Sequence, residues 1–146
     1  MILRGTLSGL ASGFIMGFFI RGLEAVSSKK IYILLLNIDF IPYLGKQHFS
    51  EAVEFTFHLF ISLIIGIVFA WMINKYSIHS KAKQFVLALC LTLPTVFLYF
   101  PLTELAIKET PAVTDIYSFS LWTIGHLIFA CLLPVFYWLP KIKQRG

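Results

Sequence analysis

Residues 53–73 read VEFTFHLFISLIIGIVFAWMI, 21 residues with a single charge, Glu54, one position from the start. A helix rises ~1.5 Å per residue, so this run matches the ~20 residues needed to cross a bilayer's hydrocarbon core. Residues 3–23, 85–105 and 116–139 have the same character. Trp71, Trp138, Tyr76, Tyr99 and Tyr137 fall near the ends of these runs, where amphipathic rings favour the headgroup layer. Pro94 and Pro134 lie inside the third and fourth runs, and membrane helices accommodate such residues when neighbours satisfy the freed carbonyl.

Composition demands the same reading. Of 146 residues, 58% are hydrophobic and 13% charged, and the mean hydropathy is +0.84. Soluble domains carry about 25% charged residues, and a small soluble fold has too little interior to hide this excess. The expected fold class is therefore an all-α integral membrane protein, a bundle of four transmembrane helices forming a single domain over residues 1–146. No convincing signal-peptide cleavage site follows the first run, which is expected to be retained.

One apolar stretch is too short to span. Residues 31–44 would reach only ~21 Å as a helix, and Asn37, Asp39 and Pro42 interrupt them. An interfacial or re-entrant segment after the first helix is expected here.

Four spans put Arg4, Lys75, Lys81, Lys83, Lys141, Lys143 and Arg145 on one side of the membrane. Arg21, Lys29, Lys30, Lys46 and Lys108 fall on the other, together with all seven acidic residues. Seven basic residues against five orient both termini toward the cytoplasm. The basic face has no groove-reading motif behind it, so nucleic acid is not an expected partner. Cys90 and Cys131 lie inside apolar runs without a CxxC spacing and are expected to act as small hydrophobes.

Two patterns stand out. Gly5, Gly9, Gly13 and Gly17 recur every four residues, with Ser8 and Ser12 beside them. This strip lets another helix approach closely, either within the chain or from a second chain. The other pattern is ionisable. Arg21 and Glu24 neighbour each other on the first helix. Glu51, Glu54 and His58 are spaced three and four on the second, and His126 lies ~15 Å into the fourth. Ionisable groups inside a membrane usually face an interior or a wet cavity, so Arg21, Glu24, Glu54, His58 and His126 are the candidate polar site. The plainer alternatives are an interfacial Arg21–Glu24 ion pair and two histidines that only tie helices together. No GxSxG, P-loop or HExxH pattern is present. Neither an enzyme, a metal nor another cofactor is expected, although two deep histidines leave haem or a divalent metal chemically conceivable.

Several of these pieces carry a family resemblance. Gly9-Leu-Ala-Ser-Gly13 followed by Gly22 and Glu24, His58 ahead of Ile67-Val-Phe-Ala70, Phe100-Pro101-Leu102, Thr110-Pro111 and Gly125-His126-Leu127 resemble, in this order, the YagU-like family of small bacterial inner-membrane proteins. Ser27–Lys30 stands where that family has a Pro/Arg-rich segment, and the basic residue near Glu24 is displaced to Arg21. The resemblance brings no established activity with it. It implies a bacterial plasma-membrane location and adds weight to Gly22, Glu24, His58, Gly125 and His126.

The expected function is a non-enzymatic membrane protein whose outer-half Glu/His cluster senses or passes protons or a small cation. The alternative is a structural or assembly partner that uses the glycine strip to bind another membrane protein or its own copy, and a third is a haem or metal carrier.

Overall fold

The computed structural model describes residues 2–39, 41–43, 45, 47 and 49–143, the last four of these through their backbone only. Lys46 and Arg145 of the charge count, and part of the 31–44 segment, lie outside the described residues.

Four helices are long and apolar enough to cross a membrane. They are α1 (Ile2–Ser27), α3 (Glu51–Lys75), the pair α4 (Lys81–Phe97) and α5 (Tyr99–Glu104), and α6 (Ile116–Lys143). A fifth helical piece, α2 (Ile31–Leu35), is a single turn and a half. No strand occurs among the described residues. Each long helix extends a few residues beyond its apolar run, because the flanking polar residues continue the hydrogen-bond ladder into the headgroup layer.

The helix ends have local causes. Ser28 adopts a left-handed conformation (φ 58°), and its N–H closes on the Glu24 carbonyl at 2.9 Å. α3 ends in a Schellman arrangement: Ser77 is left-handed (φ 50°), and Ile78 N–H reaches back to the Ile73 carbonyl at 2.9 Å. The third span breaks at Leu98, between α4 and α5. Pro94 leaves α4 continuous. Pro101 lacks the N–H that would reach the Phe97 carbonyl and its ring crowds that carbonyl, which accounts for a break at this point.

α1 is the centre of the assembly. Its buried residues are Gly5, Gly9, Gly13 and Gly17 with Ser8, Ser12, Met16 and Ile20, two ladders of period four side by side. A Cβ on Gly5 or Gly9 would overlap backbone atoms of Gly66 or Ser62 in α3, and one on Gly17 would overlap the Phe55 ring. The second ladder meets α6. Ser8 donates to the Leu133 carbonyl at 2.5 Å, and Met16 and Ile20 fill the space beside Gly125.

α4 packs along α6, while α3 and α4 meet only over a short stretch. The four helices thus run in the order α3, α1, α6, α4, with a gap between the two outermost. Phe14, Phe18, Phe60, Ile64, Leu89, Leu93, Ile124 and Leu127 are exposed along their outer faces, as lipid-facing residues are.

The segment after α1 turns into the bundle. Ile31, Leu34, Leu36 and Ile38 are buried, and Leu34 packs with Val96, Tyr99 and Trp122. Glu24 accepts the N–H groups of Tyr32 at 2.7 Å and Ile33 at 3.2 Å, so the carboxylate seats the start of α2. Asn37 donates to the Leu102 carbonyl at 3.2 Å, and the Asp39 carboxylate accepts Ile107 and Lys108 N–H at 2.8 and 2.9 Å. These bonds tie the segment to α5 and to the loop before α6.

Candidate functional site

Charge pairing gathers the polar residues at one end. Lys29 and Lys30, in the turn after α1, pair with Asp115 at 2.7 Å and with Glu109 in the loop before α6. Arg21 pairs with Glu51 at 3.3 Å, not with Glu24, which is engaged with the α2 backbone. Lys108 pairs with Glu54. The opposite end carries cations over rings, with Lys75 4.5 Å from the Trp71 centroid and Lys81 5.0 Å from that of Trp138.

At the charged end lies a cleft of about 630 Å³, lined by Arg21, Glu24, Lys30, Tyr32, Glu51, Glu54, Lys108 and Glu109 among others. Tyr32 donates to Glu51 at 3.1 Å. Burial, then the hydrogen bond to Glu51, pushes its phenol up to about 12, so it serves as a hydrogen-bond donor throughout the physiological range. Asp115 is held at about 2, first by the Lys29 ammonium and then by Ser118. Ser118 N–H at 3.1 Å and its hydroxyl at 2.9 Å both donate to this carboxylate, which caps the first turn of α6.

Behind the cleft, in the gap between α3 and α4, lies a second cavity of about 520 Å³. Its wall is mostly apolar: Met16 from α1, Phe57, Phe60, Ile61 and Ile65 from α3, Leu98, Leu102 and Leu105 around α5, and Trp122 and Phe129 from α6. Phe60, Ile61, Leu98 and Leu105 are also exposed on the outer surface, so the cavity opens sideways toward lipid. Ile65 sits 14 residues into α3, or ~21 Å, which sets the floor near mid-membrane. Below it Phe69, Ala70, Ile73, Leu133 and Tyr137 are packed and buried.

Two imidazoles and one carboxylate enter this wall: His58, His126 and Glu54. His58 Nε2 is 3.1 Å from the Gly13 carbonyl, and His126 Nδ1 is 2.9 Å from the Trp122 carbonyl. A carbonyl oxygen only accepts, so each of these nitrogens carries the proton. The neutral rings are thereby set as opposite tautomers, with His58 Nδ1 and His126 Nε2 left as acceptors. Neither acceptor is sealed in the protein; Ser12 Oγ is the one buried side-chain polar atom without a partner among the described residues. His126 also lies against the Trp122 indole, with centroids 4.4 Å apart.

Of the residues singled out in the sequence, Glu54, His58 and His126 share the cavity, while Arg21, Glu24 and Glu54 share the cleft. Glu54 is the residue common to both. Of the glycines singled out by resemblance, Gly22 has open space where a Cβ would stand and Gly125 is filled by Ile20. Lys108, Tyr32 and Trp122 also line the cleft or the cavity, and no motif in the sequence marks either ring. Lys108 did have a signal, as the single basic residue between positions 105 and 115. Among the described residues no three His, Cys, Asp or Glu side chains are grouped to hold a metal ion.

Fold and site together define a four-helix membrane protein with a charged vestibule and a laterally open, histidine-lined cavity behind it. No family model matches the chain, and neither a curated protein nor a solved structure matches it.

Proposed function

We propose that this is a non-catalytic multi-pass protein of a bacterial plasma membrane, both termini cytoplasmic, that senses protons on its outer side through Glu54, His58 and His126. The location follows the resemblance to YagU-like proteins, and the orientation follows the excess of lysine and arginine at one end. The observation that carries the sensing reading is the position of Glu54, which lines both the charged cleft and the histidine cavity.

The chemistry runs through the open nitrogens. Protonating either imidazole turns its acceptor into a second N–H donor and puts a charge into apolar surroundings, which is costly unless it is paired. The titratable groups among the cavity's lining residues, taken over α1, the 31–41 segment, α3, α4, α5 and α6, are Glu54, His58 and His126. Lys108 adds its charge through Glu54. A protonated histidine therefore draws on the Glu54 carboxylate and loosens its pairing with Lys108, which reports the event to the outer loop. The packed layer beneath the cavity favours sensing over passage. The glycine strip is proposed as an internal packing device. Its engagement with α3 favours this over an assembly role for that face.

Trp122 offers a direct readout, because an imidazolium packed against an indole quenches its fluorescence. With Trp71 and Trp138 changed to Phe, emission from the purified protein should fall on acidification, and His126→Phe should abolish the response. Emission that does not change with pH in the His126 protein overturns the reading.

A further inference from the structure

The polar atoms of the cavity are unevenly satisfied. Ser62 Oγ donates to the His58 carbonyl at 3.1 Å, Thr95 Oγ1 to the Thr92 carbonyl at 2.6 Å, and Asn37 is engaged at both ends of its amide. Glu54 accepts from Lys108, and the neutral acceptors still open are His58 Nδ1 and His126 Nε2. His126 is buried, with 5% of the residue exposed. A ligand that fills the cavity displaces water from both nitrogens, and because an acceptor left without a donor is costly, that ligand must supply the donors.

The rest of the cavity narrows the chemistry. Its volume of about 520 Å³ falls in the range of small-molecule sites, roughly 300–1,000 Å³. Phe57, Phe60, Trp122 and Phe129 offer flat aromatic walls. The opening between α3 and α4 faces the hydrocarbon layer, so entry comes from the bilayer. An anionic headgroup finds no free cation, since Lys108, Lys30 and Arg21 are each already paired with a carboxylate, and a cationic one finds the Glu54 carboxylate of the wall already held by Lys108.

The geometry points to a membrane-soluble hydroquinone as the occupant: an aromatic diol whose hydroxyls donate to His58 Nδ1 and His126 Nε2, with an apolar tail leaving between α3 and α4. Because both tautomers are held by backbone carbonyls, the site selects the reduced diol over the oxidised dione, whose oxygens can only accept. The site binds the diol without transferring electrons to or from it. The inference goes beyond proton sensing and uses the neutral form of the same cavity.

The test is calorimetric titration of the purified protein with decyl-hydroquinone and, separately, with its quinone, at about pH 8, where an ordinary histidine (pKa ~6.5) is neutral. The expected result is saturable one-to-one binding of the diol, about a hundredfold tighter than the quinone, the scale of two satisfied hydrogen bonds. His126→Phe should weaken the diol about tenfold and narrow its preference over the quinone to the single bond left at His58. Ile61→Trp, which leaves both imidazoles in place and fills the opening, should abolish binding of both forms. Equal affinity for diol and quinone overturns the proposal, as does an absence of saturable binding, a cavity holding water only. Affinity unchanged in both variants, or a co-purifying phospholipid that the diol fails to displace, overturns it too. No diol binding with Trp122 still responsive to acid sinks the ligand and spares the sensing reading; diol binding with an unresponsive Trp122 does the reverse.

Discussion

Glu54, buried in α3, and Lys108, in the loop before α6, form an ion pair at the point where the charged cleft meets the apolar cavity. The Glu54 side chain is 9% exposed and that of Lys108 39%, so water reaches the cation more readily than the carboxylate. Removing Lys108 alone strands a buried carboxylate.

Lys108→Met should lower stability by about 1–3 kcal/mol, the cost of leaving a buried polar group unsatisfied. Glu54→Gln in the same chain should restore most of that loss, because the stranded charge is gone. Thermal unfolding of both variants in detergent checks this; a double variant as unstable as the sum of the singles contradicts the pairing.

The four spans were legible because lipid imposes one strong signal, apolar length, that needs no partner to be read. The break in the third span was not placed. Pro94 drew attention as the interior proline, yet the chain parts at Leu98, where Pro101 removes the next turn's donor. Helical spacing alone sets Glu24 beside Arg21, but the chain's return after Ser28 supplies backbone N–H groups that claim the carboxylate, and Arg21 finds Glu51 instead. Likewise, nothing local in the sequence brings Lys108 to Glu54, 54 positions away. Glu54, His58 and His126 were visible as ionisable residues in apolar runs. Which nitrogen of each histidine is free became readable only once the Gly13 and Trp122 carbonyls were in place.

The glycines of α1 and its end make a matched pair of tests. Gly9→Ala puts a methyl group against the Ser62 backbone, which cannot swing aside, and should cost about 1–3 kcal/mol as overpacking does. Gly22→Ala meets nothing within 4 Å and should instead stabilise by about 0.5–1 kcal/mol, the helix preference for Ala over Gly. Unfolding temperatures moving in the same direction for both contradict the packing described.

Asp115 gives the acid limb of stability its sign. Its folded value, about 2, lies below its ordinary 3.8, so the stabilisation is present above about pH 4 and is lost as pH falls through about 2. Asp115→Asn should remove that part of the pH dependence while leaving unfolding near neutral pH without a comparable slope. An acid limb of unchanged steepness in the variant counts against the Lys29–Asp115 pairing.

Orientation is open to chemical labelling. With Cys90 and Cys131 replaced by Ala, single cysteines at Ser80 and Thr110 should react with a membrane-impermeant maleimide from opposite sides, Thr110 from outside the cell. Reaction of both from one side contradicts the four-span arrangement.

Glu54, His58 and His126 should titrate as one site, and NMR titration of the His126 imidazole reads that coupling at the atom concerned. Coupled groups shift one another's apparent pKa values, so the His126 midpoint should move in Glu54→Gln and again in His58→Gln, each protein remaining folded. A His126 midpoint that stays where it is in both variants would mean that the three residues share a cavity wall and nothing more.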